Sequence, residues 1–212
     1  MNPFKQWQNE LKTKRMVETL NKRGYSAFYM ASKEEAKEAI IKEVQKGATI
    51  ALGGSESLTE LGLVDYFSKG EYKVFERYSQ PTWEETVEVY RQSMLADYLI
   101  TSTNIITEDG KLMNQDSTGN RAAAIVFGPK KVIIIASVNK IVKNLEVGFE
   151  RLKDISPMNC RRVGHHTPCA VTGKCEDCEL HDRMCNFTTI VHNGKKFPGR
   201  YSIYLVPEEM GF

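Results

Sequence analysis

Four β-branched residues in succession, Val132-Ile133-Ile134-Ile135, form the centre of the run Lys131 to Ala136. A strand that is apolar on both faces needs cover on both faces, so the run is expected in the middle of a parallel sheet. The rest of the chain is read around it. Apolar segments at Tyr25–Met30, Ala48–Leu52, Tyr72–Phe75, Tyr98–Ser102 and Tyr201–Val206 have strand length. Segments with helical periodicity alternate with them. The first is Phe4 to Leu20, with Gly24 beyond its end. The second is opened by a capping box of Ser32 and Glu35 and should run to Lys46 before Gly47. Others are Glu56–Leu61, Trp83–Leu95 behind Thr82, Asn120–Ala124 and Asn144–Leu152. Ile105–Thr107 and Lys111–Asn114 flank a Glu108-Asp109-Gly110 turn and should pair as a hairpin, and Thr188–His192 is a further strand. This alternation predicts an α/β fold, a mostly parallel sheet with helices on both faces.

With 41% apolar residues the 212-residue chain can build one large core, and no repeat or low-complexity linker divides it. We therefore expect one domain over residues 1–212, with a cysteine-rich loop at 160–186 inserted before the last strands. The 29 basic and 27 acidic residues are interleaved and leave a net charge near +2, which does not point to nucleic acid or to a membrane surface. The start of the chain is polar, and no apolar run is long enough to span a bilayer. A cytoplasmic location is expected, where thiols stay reduced.

Four of the five cysteines, Cys169, Cys175, Cys178 and Cys185, fall in one short segment with the spacing C-x5-C-x2-C-x6-C. Four thiolates on a loop punctuated by Gly and Pro can close a coordination shell, and sulfur is the ligand that iron–sulfur clusters and structural zinc prefer. The second C-x-x-C pair of a zinc ribbon is missing. A 4Fe–4S cluster is the favoured occupant and zinc the alternative. Lys174 and Arg183 would offset cluster charge, and Gly173 would free an N–H toward sulfur. His181 is the better substitute ligand among the histidines, while His165 and His166 read as loop residues. Cys160 reads as a small buried hydrophobe, with a ligand role left open.

Ligands of parallel sheets bind at the carboxyl ends of the strands. Gly53-Gly54-Ser55, Thr103 and Asn104 in the segment Thr101–Asn104, Gly119-Asn120-Arg121, and Lys140 all fall there and are the candidate ligand-binding residues. Arg121 would act as a bidentate anion partner and Lys140 as a cation on the same rim. Glu56, Glu108 and Asp116 are the candidate acids or bases, each with the alternative of a turn or cap carboxylate. No G-x-S-x-G elbow occurs.

The stretch from Leu99 to Val142, LITSTNIITEDGKLMNQDSTGNRAAAIVFGPKKVIIIASVNKIV, resembles the LUD domain of the lactate-utilisation protein family. The likeness extends to Ser156-Pro157-Met158-Asn159, to Gly53-Gly54-Ser55 and to Tyr201–Phe212. It implies a fold similar to the sugar-phosphate isomerase and CoA-transferase superfamily. It also implies a place among proteins encoded in operons for oxidising lactate to pyruvate, whose companions carry iron–sulfur clusters. The cysteine segment is similar to the C-terminal extension of a subset of stand-alone members. The expected function is binding of a small anionic metabolite, a 2-hydroxy or 2-oxo acid, in iron–sulfur-linked electron transfer with a redox partner protein. Two alternatives stay open: a transferase or isomerase acting on a phosphorylated or CoA-linked substrate with structural zinc, and a non-catalytic regulatory subunit. The Phe4–Leu20 helix could pack on its own domain or across a homo-oligomer interface.

Overall fold

A computed structural model describes residues 2–212. The β-branched run becomes β7 (Lys131–Ser137), third in a six-stranded sheet. The other five strands are β1 (Ser26–Tyr29), β2 (Thr49–Leu52), β3 (Lys73–Val74), β4 (Tyr98–Thr101) and β10 (Tyr201–Val206). Their order is β1-β10-β7-β4-β2-β3, and every pairing is parallel. Successive side chains of β7 serve opposite faces. Val132, Ile134 and Ala136 join a core that includes Met16 and Leu20 of α1 (Pro3–Lys22) and Ala124 and Ile125 of α6 (Asn120–Phe127). Ile133 and Ile135 meet Ala36 and Ile40 of α2 (Lys33–Glu43), Leu58 of α3 (Glu56–Glu60), and Leu63 and Phe67 of α4 (Leu63–Lys69). The two-faced burial foreseen for this strand is met by helices on both sides.

A second sheet, ordered β8-β5-β6-β9, is built from β5 (Ile105–Thr107), β6 (Leu112–Asp116), β8 (Ile141–Val142) and β9 (Phe187–Val191). The expected hairpin is β5 against β6, antiparallel. Leu152 and Ile155 of α7 (Leu145–Val163) seal this sheet against Ile105 and Met113. Helix α5 (Trp83–Ser93) buries none of its residues. No helix among the described residues is long and apolar enough to cross a membrane.

Three local expectations change. Helix α2 stops at Glu43, short of Lys46, because Val44 turns extended and is buried. Ser32 caps that helix by accepting from the Glu35 N–H, but the Glu35 carboxylate accepts from Ala31 N–H, so the reciprocal bond of a capping box falls one residue early. The full box occurs at Thr82 and Glu85. The largest change is at α7, which does not end near Leu152 but continues through Pro157 to Val163. A proline inside a helix costs about 3 kcal/mol. Burial of Leu152, Ile155 and Cys160 on the same face offsets it. Cys160 is therefore helical, and the irregular part of the cysteine region begins only after Gly164, the left-handed residue that closes α7.

Replacing Ile134 by Ala removes a fully buried side chain from the central strand. The expected loss is ~2–5 kcal/mol of unfolding free energy, read from a lower denaturation midpoint at unchanged slope.

Candidate functional site

A cavity of about 820 Å³ opens at the carboxyl ends of the strands. The loop after β2 supplies Gly54, Ser55, Glu56 and Ser57 to it, and the end of β4 supplies Ser102, Thr103 and Asn104. The end of β6 and the start of α6 supply Asp116, Asn120 and Arg121, and the turn after β7 supplies Lys140. The polar clusters singled out from the sequence thus line one space. Gly53 and Gly119 do not line it; they let the backbone reach it. A Cβ on Gly53 would collide with the Thr101 hydroxyl, and Gly119 takes a left-handed φ of 77° at the start of α6.

Arg121 lies on the cavity wall but is fully committed to the protein. Its Nε donates to Asp116 Oδ1 at 2.9 Å, and Nη1 donates to Ser102 O and Asn114 Oδ1, both at 3.0 Å. Its Nη2 donates to Asn104 Oδ1 at 2.7 Å and to Gln115 O at 3.0 Å. A guanidinium has five N–H donors, so none remains for a ligand. The expectation of a bidentate anion partner gives way to a brace. Asp116 is the other half of it: one carboxylate oxygen meets Arg121 and the other accepts from the Ala122 N–H in the first turn of α6. Both carboxylate oxygens are thereby occupied by partners within the protein. Thr103 is likewise turned inward, its hydroxyl directed at Ile105 O and Met113 O.

Glu108 is not at the cavity. The β5–β6 hairpin carries it to the α1 side of the second sheet, where it is exposed and its N–H donates to Val142 O at 2.8 Å. The neighbouring turn is held there by Arg23 Nε donating to Asp109 O at 2.7 Å. Glu56 does line the cavity, 3.7 Å from Arg162 Nε.

Lys140 is the deep cation, 3% exposed. Its Nζ lies 2.9 Å from Ser57 Oγ and 2.8 Å from Ser102 Oγ, and no carboxylate pairs with it among the described residues. Burial first, and then the like charges of Arg121 and Arg151, lower its pKa to about 7, with Glu60 opposing.

Several walls of the cavity come from residues that the sequence did not place at a binding site. Arg77, Tyr78, Trp83 and Tyr90 form one side. The Arg77 guanidinium lies 4.7 Å from the Tyr78 ring centre and 5.8 Å from that of Tyr90, and no carboxylate pairs with it among the described residues. Ser156, Asn159 and Arg162 come from the part of α7 beyond Leu152. His181, Asp182 and Met184 come from the cysteine segment itself, which therefore borders the same cavity.

In that segment Cys169 sits on the short helix α8 (Pro168–Thr172) and is buried. All five cysteines are free thiols. Burial pushes the Cys160 thiol up to about 11, and its neighbours include Thr167, the Cys169 thiol and Cys185. Cys185, also raised by burial, is in turn influenced by Cys175 and Cys178. The sulfurs thus neighbour one another in a chain that takes in Cys160. Among the described residues, however, no three His, Cys, Asp or Glu side chains gather as a ready-made site for one metal ion. Arg183 shapes the segment and also acts electrostatically on the Cys185 thiol, lowering its pKa against burial. It pairs with Asp177 at 2.8 Å and donates to the carbonyls of Cys178 and Cys185. The Gly173 N–H donates to Cys169 O, not to sulfur. Asp182 ties the segment to the end of α7: its backbone carbonyl lies 2.6 Å from His165 Nδ1, and its carboxylate accepts from the His166 N–H at 3.2 Å. His181 is fully exposed beside it.

A parallel sheet with a polar cleft at its carboxyl edge, bordered by a cysteine-bearing segment, defines the chain as an α/β protein. The chain belongs to the LUD domain family, whose model matches residues 13–206. No curated protein matches it. A crystal structure of a DUF162 family protein from Deinococcus radiodurans shares the fold, with a TM-score of 0.54 at 10% identity over 93% of this chain and 97% of that one.

Two outcomes test the site's wiring. Arg121→Ala leaves Asp116 buried and unpaired, with an expected loss of ~3–5 kcal/mol in denaturant unfolding. Lys140 has a folded pKa near 7 against 10.5 when unfolded, so it costs stability below pH 10.5, most at and below about pH 7. Lys140→Met is therefore expected to raise the unfolding midpoint at neutral pH, by an amount that shrinks as pH rises toward 10.5.

Proposed function

We propose that this LUD-domain protein binds a small anionic metabolite of the 2-hydroxy or 2-oxo acid class in the cleft at the strand ends. We further propose that its cysteine segment carries an iron–sulfur cluster, which exchanges electrons with a redox partner protein in the reducing cytoplasm. The observation that carries this reading is the shared wall: His181, Asp182 and Met184 of the cysteine segment line the same cavity as Ser55, Asn104, Asn120 and Lys140. A redox centre there would lie beside a bound acid. Arg77, a cation on the wall without a carboxylate partner among the described residues, is suited to the metabolite's carboxylate. Arg121 keeps Asn104 in place and is not itself a contact.

Cys169, Cys175, Cys178 and Cys185 would hold the cluster, with Cys160 close enough to Cys169 to share the task. The donor set is all soft thiolate, which suits iron and sulfide. When bound, the cluster would supply single-electron transfer. The residues of this chain would bind the acid, orient it and keep water from it. Membership in the LUD family, for which the sequence resemblance implies a place in operons for lactate oxidation, points the same way.

Protein purified without oxygen is expected to absorb broadly in the visible range and to hold about four irons and about four sulfides per chain. Zinc alone, or metal-free protein after anaerobic reconstitution, rejects the cluster. In calorimetric titrations with lactate and pyruvate, Arg77→Ala should weaken binding roughly tenfold, or ~1.4 kcal/mol. Absence of binding by either acid rejects the metabolite reading.

A further inference from the structure

The placement of Lys140 asks for more than charge. The Val138–Lys140 turn follows directly on β7, so the side chain rises from the end of a fully covered strand to the cavity. Its amine is held by two hydroxyls, Ser57 Oγ at 2.9 Å and Ser102 Oγ at 2.8 Å. Buried ammonium groups are ordinarily paired with a carboxylate. Here the charges around it are the cations Arg121 on α6 and Arg151 on α7, against the single carboxylate of Glu60 at the end of α3. The surroundings favour the free base, consistent with a pKa lowered to about 7. A neutral amine has two N–H bonds and one lone pair. Two hydroxyl acceptors take the N–H bonds, and the lone pair is left for an electrophile.

The end of the described chain closes over this amine. Ser137 Oγ donates to Met210 O at 2.9 Å, and Asn139 Nδ2 donates to Gly211 O at 3.4 Å. Gly211 has a φ of 58°, and a Cβ there would stand 2.6 Å from Ser57 Oγ and 3.6 Å from Lys140 Nζ. Phe212 reaches the cavity wall. A lysine desolvated in this way beside a ligand-sized cavity matches the setting in which lysines act as nucleophiles toward carbonyls.

We propose that Lys140 is a covalent nucleophile that forms an imine with the carbonyl carbon of a 2-oxo acid. The proposal rests on the reading that the cavity accepts such an acid. Nζ adds to the carbonyl carbon, the carbonyl oxygen takes up a proton, and a carbinolamine results. That oxygen then leaves as water with the two protons Nζ has given up, and the carbon–nitrogen double bond forms. No oxidant or reductant is consumed. The hydroxyls of Ser57 and Ser102, both at hydrogen-bond distance from Nζ, are placed to pass the protons. The imine withdraws electrons from the adjacent carbon and so activates the bound acid for proton loss or carbon–carbon cleavage.

The test is reductive trapping on the full-length protein. Pyruvate, the simplest probe of the class, is added near neutral pH with sodium borohydride, followed by intact mass measurement and peptide mapping. Calorimetry with pyruvate, without reductant, is run on the same preparation. One reduced adduct per chain on the Lys140 peptide is expected, with trapping rising as pH passes upward through about 7. Lys140→Arg should lose the adduct. The peptide map of the unaltered protein decides the matter if that variant fails to fold. Pyruvate binding without an adduct at Lys140 overturns the imine and leaves the binding reading intact. Neither binding nor adduct overturns both. An adduct spread over surface lysines, at the same level in Lys140→Arg, also overturns the proposal.

Discussion

One guanidinium joins the two sheets. Arg121 stands at the first turn of α6 and reaches the end of β4 at Ser102, the loop beyond it at Asn104, and three successive residues of β6, Asn114 to Asp116. Each contact fixes a segment that lines the cleft. The group is buried, so the alternative to these bonds is not water but an unsatisfied charge. The cleft's shape is therefore set by a polar network whose members cannot be changed singly without large cost. A residue placed at a ligand edge by its sequence position turns out to define that edge from behind.

Lys140 shows the opposite use of burial. Arg121 is surrounded by acceptors that take up all its donors; Lys140 has two hydroxyls and cationic neighbours, and its pKa is lowered to about 7. Both side chains are within a few residues of strand ends on the same wall. The contrast is between a cation that is structural because its charge is fully answered and one that is available because it is not. It also divides the labour expected for a carboxylate ligand with a second oxygen: Arg77, on the outer aromatic side, for the charge, and Lys140, at the floor, for the carbon end.

The strands were legible because β-branched and apolar runs report burial directly, and the alternation in Val132–Ala136 between two cores is a local property of the chain. The rim was legible to the extent that polar residues follow strand ends: Ser55, Asn104, Asn120 and Lys140 come together as expected. Glu108 failed that rule because β5 runs antiparallel to β6, so the end of β5 lies opposite the end of β6 that meets the cavity at Asp116, and strand signals do not give the direction of a strand. Arg77, Tyr90 and Arg162 were invisible for a related cause. Amphipathic periodicity tells which face of α5 or α7 is apolar, not what the other face meets. The length of α7 beyond Leu152 was not legible, because the local cost of Pro157 is outweighed by packing contributed from distant strands.

The cysteine segment is the least self-sufficient part of the fold. From Ala170 to Asn186 no residue is buried. Ordering backbone costs about 1–2 kcal/mol per residue. The ties that oppose this are few and polar: Asp182 to His165 and His166, Ser117 and Asn186 to backbone carbonyls, and Arg183 to Asp177 and to the segment's own carbonyls. Such bonds contribute about 0.5–1.5 kcal/mol each when net of water. A segment with this balance is held more securely by bonds that do not depend on burial, and thiolate–metal bonds are of that kind. The spacing of the cysteines would supply them at intervals along the exposed stretch, with Cys160 and Cys169 anchored in helices at one end and Cys185 leading into β9 at the other. An inorganic centre would thus do for this wall of the cleft what Arg121 does for the opposite one: fix its position from a single point to which several segments are bound.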